Sequence, residues 1–387
     1  MDSRIFAFNQ AIITLTIYTF KMKKILFILF VVNILSISAF SQKGKGIAVI
    51  GYFAGPGKAL ENFPIQKLTH INFSFVHLKD GKLSVGRRED SVCINKMVSY
   101  KESYPRLKVI LSLGGWGGCK DCSAVFATEK GREEFARSVK QTMKYFRTDG
   151  IDLDWEYPAI PGYPGHDYSP ADKGNFTSLV KSLRKELGPK YEISFAAGGS
   201  DHFIDSSIEW KEVMKVVDKV NVMSYDLVHG YSKVSGHHTP LYSTPQQKES
   251  GDNAVMRLIQ IGVPANKIIL GAAFYARMFE VSDTDNQGLY QPAHFYHGIS
   301  YSHLYDTLTT ANGFVQYWDP VANAPYAFNA QRKLQVTYDD SLSIARKTEY
   351  VIKKGLGGIM FWQLMDDKPG GGLLDVMDKT KTLLDVH

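Results

Sequence analysis

The sequence predicts an α/β fold, a (β/α)8 TIM barrel with a small α+β insertion domain between strand 7 and helix 7, and three observations predict it. Eight short runs rich in Val, Ile, Leu and Phe recur along the chain, with amphipathic segments between them. These runs are continuously apolar, which is typical of strands that are buried on both faces of a parallel sheet. The eight strand–helix units cover roughly 280 residues, about the length of a TIM barrel.

The eight predicted strands are Ile47–Phe53, Thr69–Val76, Lys108–Trp116, Gly150–Tyr157, Glu192–Gly199, Lys219–Asp226, Ile268–Ala276 and Gly357–Leu364. The clearest helix between them runs from Ala171 to Leu187, where apolar residues fall on one face and Gly188 follows the last turn. A doubly wound open sheet is the alternative fold. That fold requires a glycine-rich phosphate turn after its first strand, and residues 51–55 do not match G-x-G-x-x-G.

Residues 277–339 do not fit the strand–helix repeat. This stretch is rich in Tyr, Phe and His and has little helical period. A structureless loop of such length is uncommon in a compact domain. We therefore expect residues 42–276 and 340–387 to form the barrel, and residues 277–339 to form the insertion on one of its rims.

The composition is that of a globular protein and limits the meaning of the positive charge. The chain has 387 residues, of which 44% are hydrophobic and 22% charged, and this excludes a disordered or fibrous protein. The formal charge of +6 comes from 45 basic and 39 acidic side chains, of which residues 1–41 hold four and one. The rest of the chain is therefore nearly neutral, and we expect no nucleic acid partner.

The first 41 residues have the pattern of an export signal. A basic patch at residues 21–24 precedes an apolar run, Ile25–Phe40, and the small residues Ala39 and Ser41 occupy the −3 and −1 positions before a cleavage point. The run has about 16 residues, fewer than the roughly 20 that a membrane span needs. We expect a signal peptide at 1–41 with an over-extended start at 1–21, and a secreted (extracellular or periplasmic) protein without membrane attachment after cleavage. An uncleaved N-terminal anchor is the alternative.

The three cysteines are too few for a disulfide scaffold. Cys119 and Cys122 form a C-x-x-C in a glycine-rich stretch that lacks the context of a redox or zinc site. We expect either a local loop disulfide or two plain thiols there, and we expect Cys93 to be unpaired.

The fourth predicted strand carries three carboxylates on one side. Because side chains alternate along a strand, Asp152, Asp154 and Glu156 point into the barrel, while the apolar residues between them face the helices. Like charges roughly 6–7 Å apart cannot all ionise freely, so at least one is held protonated, as a general acid must be. Glu156 lies nearest to the carboxyl end of the strand, where barrel enzymes place their sites, and is the candidate acid. Asp149 breaks the alternation, and we expect it to support the strand entrance.

This run, Asp149-x-x-Asp152-x-Asp154-x-Glu156, resembles the signature of glycoside hydrolase family 18, the chitinases and chitinase-like proteins. Other stretches are similar to that family in the same order: Tyr52, Ser112-Leu113-Gly114-Gly115-Trp116, Met223-Ser224-Tyr225-Asp226, Tyr275-Ala276-Arg277 and Trp362. The residues that match extend over nearly the whole chain after residue 47. A branch of the family carries an α+β insertion after the seventh strand, which the stretch at 277–339 resembles.

The resemblance implies a substrate-assisted mechanism without an enzyme nucleophile. Glu156 protonates the glycosidic oxygen, and the 2-acetamido group of the sugar attacks its own anomeric carbon. Asp154 bonds the acetamido nitrogen and shares a proton with Asp152. Tyr225 bonds the acetamido oxygen, and Asp226 contacts the same sugar. Neither a metal nor another cofactor is expected.

The resemblance also implies how a sugar chain is bound. Trp362 forms the floor under the reactive sugar, Trp116 lies at the rim, and Met223 lines the pocket or belongs to the barrel core. Arg277 bonds either a sugar hydroxyl or the insertion.

Neighbouring strands supply the support that the resemblance implies for the carboxylates. Tyr52 and Ser112 hold Asp152 from these strands, and Tyr52 also borders the substrate pocket.

Three functions remain open at this point. The leading one is a monomeric chitinase that cuts β-1,4-linked N-acetylglucosamine polymers or oligomers. A second is an endo-β-N-acetylglucosaminidase acting on N-glycan cores, whose family relatives usually lack the insertion. A third is a chitin-binding lectin without activity, although such proteins usually lose the acid that is present here as Glu156.

Overall fold

The computed structural model describes residues 46–384, which form fourteen strands and ten α-helices. The strands are β1 (Ala48–Phe53), β2 (His70–Lys79), β3 (Lys82–Ser84), β4 (Lys108–Gly114), β5 (Gly150–Asp154), β6 (Glu192–Gly198), β7 (Lys219–Met223), β8 (Ile268–Ala273), β9 (Tyr275–Val281), β10 (Ala293–Ser300), β11 (Val315–Asp319), β12 (Ala324–Asn329), β13 (Leu334–Thr337) and β14 (Gly358–Trp362). The helices are α1 (Arg88–Ser99), α2 (Cys122–Phe126), α3 (Glu129–Phe146), α4 (Asp172–Leu187), α5 (Asp201–Ser206), α6 (Trp210–Val213), α7 (Gly251–Gln260), α8 (Tyr301–Thr307), α9 (Ser341–Lys353) and α10 (Leu373–Leu384).

Eight of the strands close into a parallel barrel, as the sequence predicts. Their order is β1-β14-β8-β7-β6-β5-β4-β2, and the pairing of β1 with β2 closes the ring. Every predicted barrel strand is present. Several end two or three residues earlier than expected, for example at Asp154 instead of Tyr157 and at Met223 instead of Asp226. Beyond these ends the chain leaves the sheet, and Glu156, Tyr157, Tyr225 and Asp226 line a cavity. Trp155 instead packs in the core.

The alternation of side chains divides the barrel strands into an inner and an outer set. On β1, Ile50 and Tyr52 belong to a small cluster inside the barrel, whereas Val49 and Phe53 pack in the large core between strands and helices. The same alternation on β5 places Ile151 and its outward neighbours against the helices. The outer core is continuous around the barrel, so it fixes the strand register that points the polar residues of β5 inward.

Helix α4 shows why the covering layer was predictable. It spans Asp172–Leu187, and its apolar residues are buried on the face toward the sheet. It ends at Gly188, whose φ of +69° lies in the left-handed region that favours glycine.

A second sheet lies between β8 and α9. Its five strands are antiparallel in the order β10-β9-β13-β12-β11, and α8 follows β10. Strand β9 begins at Tyr275, two residues before residue 277, because Tyr275 already pairs with Ser300 of β10. The edge strand β10 contributes one wall of the cavity.

The predicted signal peptide, with its basic patch and apolar run, lies outside the described residues. Within residues 46–384, no helix combines the length and the apolar character needed to cross a membrane.

The C-x-x-C is bridged, which settles the open alternative. A disulfide joins Cys119 to Cys122 in the turn between β4 and α2. Cys93 is a free thiol, as predicted, and is buried on α1.

Candidate active site

A cavity of about 910 Å³ opens at the carboxyl ends of the barrel strands. Nine of the predicted site residues line it: Tyr52, Trp116, Asp154, Glu156, Met223, Tyr225, Asp226, Arg277 and Trp362. Of the other three, Ser112 and Asp152 lie beneath the cavity, and Asp149 lies away from it at the entrance of β5. The barrel therefore brings together residues that are up to about 310 positions apart in the sequence.

Asp152 is fully buried below the cavity and is held by four hydrogen bonds. Its Oδ2 accepts from Tyr52 at 2.9 Å and from Ser112 at 2.8 Å. Its Oδ1 accepts from Ser194 at 2.7 Å and from Asn221 at 3.1 Å. Burial raises the pKa of the Asp152 carboxyl, and these hydrogen bonds oppose that rise. The four donors stabilise Asp152 as an acceptor in a site that water does not reach.

Asp154 is the last residue of β5 and faces the cavity floor. Burial, followed by the charges of Glu156 and Asp152, raises its pKa well above the ordinary value. Its Oδ1 is buried and has no hydrogen-bond partner among the described residues. No hydrogen bond joins Asp154 to Asp152 in that part of the chain either, so the sharing of a proton between them stays a prediction. A buried acceptor without a partner is costly, and this one belongs to a residue that lines the cavity.

Glu156 lies two residues beyond the end of β5 and lines the cavity. Burial raises the pKa of its carboxyl to about 7, with a hydrogen bond from Tyr157 opposing the rise and the charge of Asp226 adding to it. A carboxyl with this pKa carries a proton near neutral pH and can donate it. Gly162 packs against the Glu156 carbonyl so closely that a Cβ there would lie 2.0 Å from the oxygen, so only glycine fits in this turn.

Arg277 of the second sheet forms an ion pair with Asp226 at the end of β7. Its Nη2 lies 2.5 Å from Oδ2, and its Nε donates to Oδ1. Burial alone would raise the pKa of Asp226, but Arg277 and then His238 lower it well below its ordinary value. The guanidinium also lies over the rings of Tyr275 and Phe295, 5.4 and 5.5 Å from their centroids. Arg277 was expected to bond either a sugar hydroxyl or the insertion. In the structure it joins the insertion to the barrel through Asp226.

Aromatic rings form the floor and the rim of the cavity. Trp362 stacks on Phe75 with centroids 5.4 Å apart and an angle of 14° between the planes. Trp116 lies at the rim and is 47% exposed, and its ring centroid is 6.3 Å from that of Tyr231. Flat apolar surfaces edged by polar groups suit the faces of sugar rings.

Tyr225 and Met223 complete the floor. Tyr225 is nearly buried, and burial raises the pKa of its hydroxyl well above the ordinary value, so the hydroxyl stays protonated and can donate a hydrogen bond. Met223 packs against the small cluster inside the barrel and also borders the cavity. It therefore belongs to the barrel core and lines the pocket as well, the two roles expected for it.

Comparison with known proteins decides the family. Residues 48–367 match the family described as glycosyl hydrolases family 18. The chain belongs to glycosyl hydrolase family 18. It is a glycoside hydrolase, and the family resemblance inferred from the carboxylate run is confirmed.

Several relatives of this family 18 enzyme are chitinases by name. Chitinase A1 of Niallia circulans is 33% identical over 74% of this chain, and the chain spans only 46% of that relative's length. Chitinase 1 of Aphanocladium album is 30% identical over 86% of this chain and 85% of the relative. Among solved structures, a family 18 N-acetylglucosaminidase from Paenibacillus barengoltzii has a TM-score of 0.79 and 34% identity, covering 86% of this chain and 99% of that one.

The structure adds site residues of the family 18 enzyme that the sequence reasoning missed. Ser194 on β6 and Asn221 on β7 both donate to Asp152. Asn221 stands two positions before Met223, so strand alternation alone places it inside the barrel. Tyr157 and Phe75 line the cavity, and Tyr157 acts to lower the pKa of the Glu156 carboxyl. The signal for Ser194 and Asn221 was a polar residue at an inward position of an otherwise apolar strand.

Asp149 lies at the entrance of β5, away from the cavity. Its carboxylate accepts from Lys101 Nζ at 2.6 and 2.8 Å and from the Val109 amide at 2.8 Å. Its hydrogen bond with the Val109 amide holds the start of β5 against the start of β4.

Proposed function

We propose that the protein is a secreted chitinase that hydrolyses β-1,4-linked N-acetylglucosamine polymers or oligomers with retention of configuration. One observation carries the proposal. Glu156, whose pKa is about 7, lies two residues from Asp154, whose buried Oδ1 lacks a partner among the described residues, above an aromatic floor. A proton donor beside an unpaired acceptor suits a sugar that brings its own acetamido N–H and nucleophilic oxygen.

In the first step, Glu156 gives its proton to the glycosidic oxygen as the bond from that oxygen to the anomeric carbon breaks. The acetamido carbonyl oxygen of the same sugar forms a new bond to the anomeric carbon, which gives an oxazolinium ion. Oδ1 of Asp154 accepts the acetamido N–H and stabilises the developing positive charge. The Tyr225 hydroxyl donates a hydrogen bond to the acetamido oxygen and holds this oxygen in position for attack.

In the second step, water opens the oxazolinium ring from the face that the leaving group vacated. Glu156, now a carboxylate, takes the proton from this water and is ready for the next cycle. Two inversions at the anomeric carbon give net retention. The mechanism needs no second carboxylate as a nucleophile.

The cavity also suits a neutral sugar chain. Trp362 offers a flat surface to the reactive sugar, and Trp116 offers another at the rim of the cavity. The Asp226 carboxylate, fixed by Arg277, accepts a hydrogen bond from a sugar hydroxyl. The nearly neutral chain after residue 41 fits a substrate without charge.

The relatives support this substrate class. Their names include chitinases and an N-acetylglucosaminidase. The complete carboxylate set with Glu156 disfavours a lectin that only binds. Cleavage of an N-acetylglucosamine hexamer compared with cleavage of an N-glycan separates the chitinase from an endo-β-N-acetylglucosaminidase.

The decisive experiment is Glu156→Gln, assayed on an N-acetylglucosamine oligomer. The variant keeps the size and hydrogen bonding of the side chain but lacks the proton, so hydrolysis should fall by roughly 10²–10⁴-fold while binding persists. Retention of more than about a tenth of the activity would refute the assignment of the acid. Glu133→Gln on the exposed face of α3 is the matched control and should keep full activity.

Export is tested separately, on material recovered outside the cell. Its N-terminal sequence should start near Gln42. A mature protein that begins at Met1 would contradict a cleaved signal peptide.

A further inference from the structure

His238 is a buried imidazole that the steps above do not use. It lies in the segment between β7 and α7, twelve residues after Asp226. Its side chain is fully buried, and neither of its ring nitrogens has a hydrogen-bond partner among the described residues. A buried polar group without a partner is costly, so the position of this ring calls for a reason.

The ring of His238 faces the carboxylate of Asp226. Its Nδ1 lies 3.5 Å from Oδ1, and within residues 46–384 no other carboxylate comes within 4 Å of the ring nitrogens. The imidazole also packs against the ring of Tyr275, with centroids 5.2 Å apart. A shift of about 0.5 Å would bring Nδ1 into hydrogen-bond range of Oδ1. Because an ionised carboxylate can only accept, it favours the neutral form of the imidazole that carries its proton on Nδ1.

The backbone of His238 holds the same region of the chain. Its carbonyl accepts from the amide of Leu227, the residue directly after Asp226, at 3.1 Å. Its own amide donates to Oγ1 of Thr337, the last residue of β13, at 3.0 Å. Asp226 has a φ of +55°, in the left-handed region that few residues other than glycine adopt, so it depends on its surroundings to keep this conformation. His238 supplies part of these surroundings and connects them to the second sheet.

The charged groups around His238 leave it neutral. Burial lowers the pKa of the imidazole and Arg277 lowers it further, whereas Asp226 and Asp339 oppose this. The charge of Asp339 is itself compensated, because its carboxylate accepts from Lys347 Nζ at 2.6 and 2.8 Å. The imidazole can therefore donate a hydrogen bond near neutral pH without carrying a charge.

A neutral donor at this position matters for the acid. The charge of Asp226 raises the pKa of Glu156, and Arg277 already pairs with that charge. A second cation beside Asp226 would cancel its effect on Glu156. A neutral imidazole instead holds the carboxylate and leaves its charge to act on the acid.

We propose that His238 is a positioning residue, whose neutral imidazole donates from Nδ1 to Asp226 and, together with Arg277, holds this carboxylate beside Glu156. The inference rests on the proposed function, in which Glu156 is the acid and Asp226 contacts the sugar. It extends the group that controls the acid to a side chain at the junction of the barrel with the insertion.

Two substitutions separate the donor from the bulk of the ring. Asn places its amide nitrogen near the position of Nδ1, whereas Leu fills a similar space without a donor. The pH dependence of kcat/KM on an N-acetylglucosamine oligomer is measured for the wild type, His238→Asn, His238→Leu, Asp226→Asn and the combination of His238→Leu with Asp226→Asn. His303→Asn on the exposed side of α8 is the matched control and should equal the wild type. Melting temperatures verify that each variant folds.

His238→Leu should lower kcat/KM about tenfold, the lower end of the value of a hydrogen bond to a charged group. It should also move the alkaline limb to lower pH, because the charge of Asp226 is no longer held beside Glu156. His238→Asn should lose less in both respects, and His238→Leu should move the limb no further when Asp226→Asn is already present. Equal losses in the Leu and Asn variants with the limb in place, or a limb shift that persists without the Asp226 charge, would show a packing role and overturn the inference.

One measurement needs only the wild type and does not depend on the folding of His238→Leu. The ¹⁵N chemical shifts of the histidine rings distinguish a proton on Nδ1 from one on Nε2, and comparison with His238→Asn identifies the signals of His238. We expect a neutral ring with its proton on Nδ1 at pH 7. A neutral ring protonated on Nε2, or a charged ring, overturns the inference and leaves the proposed function intact. A wild type that does not cleave the oligomer overturns the proposed function, and the inference with it.

Discussion

The Tyr52 hydroxyl donates a hydrogen bond to Oδ2 of Asp152 at 2.9 Å, across the interior of the barrel from β1 to β5. The same hydroxyl accepts from the Asn221 side chain at 3.0 Å. Tyr52 is thus both a donor to the buried carboxylate and an acceptor for another of its donors. Removal of the Tyr52 hydroxyl oxygen should therefore disturb the hydrogen bonds of both Asp152 and Asn221.

Tyr52→Phe should destabilise the protein by about 1–3 kcal/mol, because it leaves an acceptor on Asp152 and a donor on Asn221 without their partner. Activity should fall about tenfold. The hydrogen bond from Tyr52 lowers the pKa of Asp152, so its loss raises that pKa and moves the acid limb of the kcat profile to higher pH. Urea unfolding and a pH profile test both effects. Tyr145→Phe, with a ring that is 80% exposed, should match the wild type in each.

The alkaline limb of kcat/KM should reflect Glu156. Its carboxyl has a pKa of about 7, so the donating form is lost as the pH rises through that value. Asp226→Asn removes a nearby negative charge that raises this pKa, so the limb should move to lower pH in that variant. An alkaline limb that stays in place in Asp226→Asn would contradict the contribution of its charge.

Glu156 also makes stability depend on pH. Its pKa rises from 4.5 in the unfolded chain to about 7 in the folded one, so the folded state binds the proton more tightly. The stability that this proton contributes is present below about pH 4.5 and is lost as the pH rises through 7. Glu156→Gln should therefore melt at a higher temperature than the wild type at pH 8, and the difference should vanish at pH 4.

At the opposite end of the barrel, Glu192 binds three basic side chains and should dominate acid stability. Lys108, Lys219 and His70 lie 2.6, 2.7 and 3.2 Å from its carboxylate. Burial opposes ionisation of Glu192, but His70 and then the lysines lower its pKa well below 4.5.

Glu192→Gln should cost about 3 kcal/mol at pH 7, because it leaves the largely buried Lys219 without its counter-ion and weakens the pairing with Lys108. Since the folded pKa of Glu192 is lowered, its contribution is present above about pH 4.5 and is lost as the pH falls below that value. Denaturant unfolding at pH 7 and pH 3 should show this loss. Glu133→Gln, whose nearest cation lies 3.6 Å away at the surface, should change stability by less than about 0.5 kcal/mol at either pH.

The Cys119–Cys122 disulfide closes a turn that begins three residues after Trp116. Replacement of both cysteines by serine should lower stability by about 2 kcal/mol, the value expected for so short a loop. It should also raise KM for long oligomers, because the rim that contacts their far end is less well fixed. A reductant should lower the melting temperature of the wild type and leave that of the double variant unchanged; equal shifts would contradict the stabilising role of the bridge.

The sequence predicts the barrel well because its evidence is local. Continuous apolar runs mark the strands, and alternation along β5 is enough to point Asp152 and Asp154 inward and Ile151 outward. The ends of the strands are less predictable. The residues after Asp154 or Met223 are as aromatic and apolar as a strand, yet they leave the sheet, and Tyr157 and Tyr225 among them line the cavity.

Contacts between distant elements lie beyond such local evidence. The bonds from Ser194 and Asn221 to Asp152 depend on the stagger of β6 and β7 against β5, and composition does not encode that stagger. The pairing of Arg277 with Asp226 depends on how the second sheet stands on the barrel. For the same reason, the role of Arg277 could be narrowed to two alternatives but not decided.

The closing of β1 against β14 has a consequence for the timing of activity during synthesis. Trp362 ends the last barrel strand, and it stacks on Phe75 of the second. A growing chain on the ribosome therefore carries the acid Glu156 long before it has a floor on which to hold a sugar. Activity begins only when β14 has emerged and the ring is complete, so a chain that ends before Trp362 is inactive although it already carries the acid.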